Sequence, residues 1–396
     1  MKKPLYGPSI YYATDKNVFD ALNQHKVTRP AIQSMFLRRN ILVSPKTPRV
    51  ELAAYFSLLN HDYKDHQDIA SRLGIVARRE RSTSLAIQGI DDRSDLLAAI
   101  EDVKKELEEA GDVVKITTHD GRIVVVIHYS TVDYRRSEFT QTQQRKGRID
   151  FLGIGPRYVV RSTHSDHVTR ARDEVFERLS KRPNVSLEKF KISLSPFPSP
   201  EDRSTFFNDL ITELDGFTLY DVKEAFAYKA RPQGFDSNFD DDDLLDPEEE
   251  EGGEEDEQDG DETERRATNK DRRSDDEAKL GSHVDHVNLK GVGVTRSEFL
   301  IDALEDGYYI VRTRWEAKKT FGLGQIYIIE ALFTDPAICD EFSFMLRGVF
   351  PIEEGRVSKR QVAPHPDDID EVSRAIETTA QKLLAQLREK HTKEAS

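Results

Sequence analysis

Cysteine is nearly absent from this 396-residue chain. Its single copy, Cys339, cannot close an internal disulfide, and a zinc site built on cysteines is excluded. Within DPAICDEFSF a small buried thiol is the expected state, and no histidine adjoins it to support a nucleophile. Long apolar runs are missing too. No stretch reaches the ~18 residues that a membrane-spanning helix needs, so no membrane partner is expected. The opening MKKPLYGPS has cations but no apolar run behind them, which does not read as a signal peptide. The chain is expected to be soluble and cytoplasmic. G-x-G-x-x-G, G-x-x-x-x-G-K-[ST] and G-x-S-x-G are all lacking. The pairs Gly153/Gly155, Gly291/Gly293 and Gly322/Gly324 read as turns at strand ends, and no cofactor is expected.

Charge is present in quantity but unevenly placed. The formal net charge is −15, yet residues 236–279 hold 22 acids and 6 bases. The remainder carries 51 acids against 52 bases, so the acidity belongs to one segment. That segment is nearly free of large apolar residues and cannot offset its ordering entropy, so residues 233–283 are expected to be a disordered acidic loop. It reads as a solvated spacer, a nucleic-acid mimic or a partner-binding stretch. Residues 1–90 hold 14 Lys/Arg and 7 Asp/Glu, a basic balance that suits an anionic partner.

Periodicity predicts an α+β fold. Residues 1–90 are expected to form an all-helical basic module. Helices are expected near 15–26, after Thr28, after a Thr47 cap with Pro48 at the first helical position, and over 63–73. Leu52, Tyr55, Phe56 and Leu59 are expected on one inward face. A mixed body follows over 91–232 and resumes over 284–396. It includes a helix over 92–110, a hairpin around Asp120–Gly121, further strands over 149–162, a helix capped by Ser165 and a C-terminal helix over 367–390. The stretches beginning at Arg203 and Arg296 both read as helix, Asp-Gly turn and strand, which suggests two β-α-β units.

The stretch FLRRNILVSPKTPRVELAAYF carries the functional expectation. Two apolar helical runs flank a Ser/Pro/Lys/Thr/Pro connector. In Leu37–Arg39, Ile41–Ser44, Lys46–Thr47 and the following Val50–Leu59 it resembles the SAP-type helix-extended-helix module, over residues about 28–60. Asn40 stands where that family has glycine, and asparagine tolerates the left-handed turn. The resemblance implies DNA binding with low sequence specificity. Arg38, Arg39, Lys46 and Arg49, beside a helix N-terminus, would contact phosphates. Arg78, Arg79 and Arg81 form a second basic cluster. The expected function is a non-catalytic DNA-associated accessory protein. The alternative is a protein–protein adaptor or scaffold in a multi-subunit DNA-processing or defence assembly. A rival helix-turn-helix beginning at Asp68 lacks a clean recognition helix.

A third reading is a metal-dependent nuclease, because Glu316-x-Lys318 is half of a PD-(D/E)xK pattern. It needs an aspartate on a neighbouring strand. Asp306, read as opening the same strand, lies roughly 33 Å away along it. Arg312, Arg314, Glu316 and Lys318 read more simply as a solvated strand face. The histidine pairs His61/His66, His164/His167 and His283/His286 each supply too few converging ligands, so no catalytic or metal-binding residues are assigned.

Overall fold

The computed structural model describes residues 13–24, 27–73, 80–90, 92–119, 121–132, 139, 141–182, 185–229, 286–322, 324–353 and 355–394. The acidic stretch 233–283, Arg78 and Arg79 lie outside the described residues. The protein is α+β, and its chain divides into two compact units, Met1–Lys191 and Ile192–Ser396. Among the described residues, no helix is long and apolar enough to cross a membrane.

The first unit opens with helices α1 (Asp15–Leu22), α2 (Arg29–Arg38), α3 (Arg49–Ser57) and α4 (Tyr63–Arg72). Capping boxes start α1 at Thr14/Asn17 and α4 at Asp62/Asp65. The start of α3 differs from the sequence expectation: Pro48 is its N-cap, and no side chain caps it. Val18, Leu22, Ile32, Phe36, Leu52, Phe56 and Ile69 close one small core, which Phe139 joins. Tyr55 is exposed, so the inward face of α3 is narrower than expected.

Strand β1 (Ser82–Gln88) follows, and it belongs to a sheet rather than to the helices before it. Helix α5 (Arg93–Ala110) starts at the Asp92 cap and stops at Gly111, φ 107. Strands β2 (Val113–His119), β3 (Arg122–Val132), β4 (Thr142–Ile154) and β5 (Arg157–Thr163) form a meander, and α6 (Asp166–Ser180) closes it. The order is β2-β3-β4-β5-β1, antiparallel throughout, with β6 (Glu188–Lys191) also on β1. Ile123, Val125 and Ile127 alternate inward along β3 to meet Leu96 and Ile100 of α5 and Val175 and Phe176 of α6. Gly147 lets α6 approach β4, since a Cβ there would lie 2.1 Å from Val168 Cγ2.

The second unit runs α7 (Pro200–Thr212), β7 (Phe217–Tyr228), β8 (His286–Lys290), α8 (Glu298–Glu305), β9 (Tyr309–Lys319), β10 (Ile326–Asp335), β11 (Asp340–Phe350) and α9 (Pro366–Glu394). A small hairpin, β12 (Ile352–Glu353) with β13 (Arg356–Val357), precedes α9. The sheet order is β8-β7-β9-β10-β11, again antiparallel. Phe206, Phe207, Phe333 and Phe342 interlock ring to ring beneath it. Cys339 is buried there, and burial pushes its thiol up to about 12.

The internal likeness lies elsewhere than expected. The segments from Arg203 and Arg296 are α7–β7 and α8–β9, and β7 pairs directly with β9 antiparallel, so neither is a parallel β-α-β unit. The repeated plan is helix, four-strand meander, helix: α5-β2-β3-β4-β5-α6 in the first unit and α7-β7-β9-β10-β11-α9 in the second. In the second copy, β8, α8 and the acidic stretch interrupt the first meander connection.

The charged face of β9 is buried rather than solvated. Arg312 and Glu224 are each 1% exposed and Glu330 is 0% exposed. Arg312 bonds Glu224, Arg314 reaches Glu224 at 3.3 Å and Glu330 at 3.2 Å, and Arg347 reaches Glu330 at 2.6 Å. Cross-strand register explains this, because Arg314 lies opposite Glu224 on one side and Glu330 on the other.

Candidate functional site

The stretch 29–57 folds as helix, extended connector, helix. Asn40 adopts φ 58, the left-handed turn foreseen at that position. Phe36 of α2 meets Phe56 of α3 edge to face, ring centroids 5.1 Å apart. The four cations expected to converge on a phosphate do not do so. Helix α4 takes up two of them: Arg38 pairs with Asp68, and Arg39 pairs with Asp65. Arg39 also lies 5.0 Å over the Phe56 ring, and its Nη2 sits 3.2 Å from His61 Nδ1. Arg49 turns away from the connector. It donates to the carbonyls of Asn23 and Val27, fastening the α1–α2 turn to the head of α3. Lys46 is exposed, and its ammonium has no partner among the described residues.

The electrostatics follow from these pairings. A cavity of about 610 Å³ between the end of α2 and the start of α4 is lined by Arg38, Arg39 and Lys64, but also by Asp62 and Asp65. Its charges nearly balance, so it is not an electropositive notch. Burial pushes the Asp65 carboxyl up, but the Asp62 amide and the Arg39 guanidinium outweigh it and hold the carboxyl below its ordinary value. His61 is held below its ordinary value by burial and by Arg39. A guanidinium can only donate, so Nδ1 of neutral His61 accepts and the proton sits on Nε2. What the junction leaves for a phosphate is Lys46 and the uncapped first turn of α3, where Glu51 also stands.

Apolar exposure at the junction is larger than its remaining charge. Leu37, Leu42 and Leu58 are 60%, 87% and 72% exposed, and Val50 and Tyr55 are exposed as well. Helix α3 is thus apolar on both sides: Leu52, Ala53 and Phe56 face the core, while Val50 and Tyr55 face out.

Comparison with models of known protein families gives no match, and comparison with curated proteins gives none.

The second unit holds a group that sequence reasoning missed. Asp221 of β7 lies directly opposite Glu316 of β9. Lys223 bridges them, with Nζ 2.7 Å from Asp221 and 3.4 Å from Glu316. Burial pushes the Asp221 carboxyl up, but Lys223 and the Gly293 and Val222 amides outweigh it and hold it below its ordinary value. Hydrogen bonding to Asp221 raises Lys223. Asp306, the aspartate considered from sequence, is not on β9; it caps the C-terminus of α8. Lys318 lies 4.0 Å over the Tyr220 ring. Among the described residues, no group of three His, Cys, Asp or Glu side chains is placed to hold a metal ion.

Proposed function

We propose that the chain is a non-catalytic accessory protein whose N-terminal helical module docks a protein partner. The observation that carries this reading is the exposed apolar set on α2, the connector and α3. Burying Leu37, Leu42, Val50, Tyr55 and Leu58 against a partner is worth about 6.5 kcal/mol gross, at roughly 2 kcal/mol per side chain scaled by its exposure. Lys46 stands among these residues, so the partner surface that fits is apolar with a carboxylate at its rim. Phosphate binding at the same place has weaker support, because Arg38, Arg39 and Arg49 already serve protein acceptors. The test is affinity capture with the full chain and with Leu42→Asp/Leu58→Asp, followed by reconstitution with the purified partner. A partner that the wild type binds and the double variant does not supports the reading. Equal binding by both removes it.

A second reading, a metal-dependent nuclease, is favoured by the Asp221–Glu316 pair opposite one another on adjacent strands. Lys223 occupies the gap between the carboxylates, and a metal would have to displace it. Plasmid incubated with the protein and Mg²⁺ or Mn²⁺, with Glu316→Ala as control, decides this. Cleavage abolished by Glu316→Ala establishes the nuclease, and no cleavage removes it.

A further inference from the structure

The outer face of the first unit's sheet gathers more cations than carboxylates among the described residues. Helices α5 and α6 pack on the opposite face. Register assigns the side chains of the outer face. Lys115 of β2 lies opposite Val126 of β3, and Val126 lies opposite Arg148 of β4. Lys146 lies opposite His128, and Asp150 lies between Val124 and Arg161 of β5. Arg122 and Arg157 share this parity at the ends of their strands, and Glu188 of β6 lies opposite Gln88 of β1. The face therefore presents Lys115, Arg122, Lys146, Arg148, Arg157 and Arg161 against two carboxylates, Asp150 and Glu188. These side chains are exposed or half-exposed, except Asp150, which is buried between Arg122 at 2.7 Å and Arg148 at 2.8 Å.

We propose that this sheet face binds the phosphodiester backbone of a nucleic-acid strand. The four strands β2-β3-β4-β5 make it about 14 Å wide at ~4.8 Å per interval, since Ser84 and Ala86 on the same side of β1 are buried. Four of its six cations are arginines, whose planar fork matches a phosphate. Asp150 holds two of those guanidiniums in fixed positions, which lowers the ordering cost of binding. The exposed Phe190 ring of β6, with Arg157 5.4 Å from its centre, adds a platform on which a base can stack. Small side chains, Val124, Val126, Val159 and Thr163, separate the charges. Leu152 and the exposed Val113 and Ile154 share this face. The arginine forks and the Phe190 platform favour a nucleic acid over an acidic protein, and competition by polyglutamate tests that choice. This surface is distinct from the helical junction, and its failure leaves the docking reading standing.

Among the described residues, two carboxylates against six cations leave an excess of four. The binding constant should then fall with a log–log salt slope of about −3.6 for duplex DNA and about −2.8 for single strands. That is roughly a 150-fold loss for duplex DNA between 50 and 200 mM salt. The experiment is fluorescence anisotropy with the full chain and a labelled 30-mer as duplex DNA, as single-stranded DNA and as RNA, over a salt series. Lys115→Glu/Lys146→Glu reverses two exposed cations that have no partner among the described residues. Lys105→Glu/Lys181→Glu makes the same charge change on α5 and α6, on the other side of the sheet. Circular dichroism confirms that both variants fold. The expected result is binding by at least one probe, weakened at least tenfold by the first pair with the duplex salt slope reduced by about 3.6, because four cations then face four carboxylates, and changed less than twofold by the second. The strand type that binds best identifies the ligand. The proposal is overturned if no probe binds at 50 mM salt. It is also overturned if both pairs lose affinity equally, or if polyglutamate competes as well per charge as the nucleic acid.

Discussion

Replacing Arg49 with alanine separates a structural arginine from a phosphate-binding one. Its guanidinium donates to the Asn23 and Val27 carbonyls and lies 3.3 Å from Asn23 Oδ1, joining the α1–α2 turn to α3. A hydrogen bond from a charged donor contributes about 1.5–3 kcal/mol. Asn23 is half-exposed, where water replaces part of what is lost, and the bond to the buried Val27 is long, at 3.3 Å. Two such bonds therefore give about 2–3 kcal/mol in total. Amide hydrogen exchange of the full chain reads this locally, at Asn23 and Val27, whose own amides bond Phe19 and Gln24 carbonyls. The loss corresponds to roughly 30- to 150-fold faster exchange at those amides. Lys46→Ala, with no partner to lose, should change them less than about twofold. Unchanged exchange in Arg49→Ala, together with weaker DNA binding, would refute the structural assignment and restore the phosphate grip.

Other outcomes follow from the same contacts. Gly147→Ala drives a methyl group into Val168 and should cost about 1–3 kcal/mol in chemical denaturation, most of it recovered in Gly147→Ala/Val168→Ala. His61 sits below its ordinary value of 6.5 in the fold, so the unfolded chain binds more protons and the module loses stability as pH falls below about 6.5. Asp65 adds to the loss in the same direction below about 3.8. Thermal melting across pH 7 to 5 should show the His61 part, and His61→Phe should flatten it. Glu330→Ala leaves Arg314 and Arg347 without their shared buried carboxylate and should destabilise the second unit by about 3–5 kcal/mol, measured by urea unfolding.

The elements that were legible in sequence carry local signals. The Asp92 cap and Gly111 stop bracket α5, Gly121 turns the β2–β3 hairpin, and Ser165 opens α6. β1 was read into the helical module because STSLAIQ has inward residues on both sides and no clean alternation. The register of β9 concealed its burial, because the partners of Arg314 come from β7 and β10 and local spacing names neither. The cations of the junction were visible, but their partners were not. Asp68 and Asp65 lie 30 and 26 residues further on, and Arg49 bonds main-chain carbonyls that any residue supplies. Asp221 escaped notice because the acidic stretch separates β7 from β9 in the chain. The basic sheet face had a signal in the alternation of Lys146 and Arg148 and of Arg157 and Arg161, though only the strand register places them together.

The docking role of α2, the connector and α3 is tested most directly by titrating a purified captured partner into the full chain by calorimetry. The account predicts saturable binding by the wild type, with a negative heat-capacity change from apolar burial, and loss of at least 100-fold in affinity in Leu42→Asp/Leu58→Asp. Equal affinity for the wild type and the double variant would contradict it.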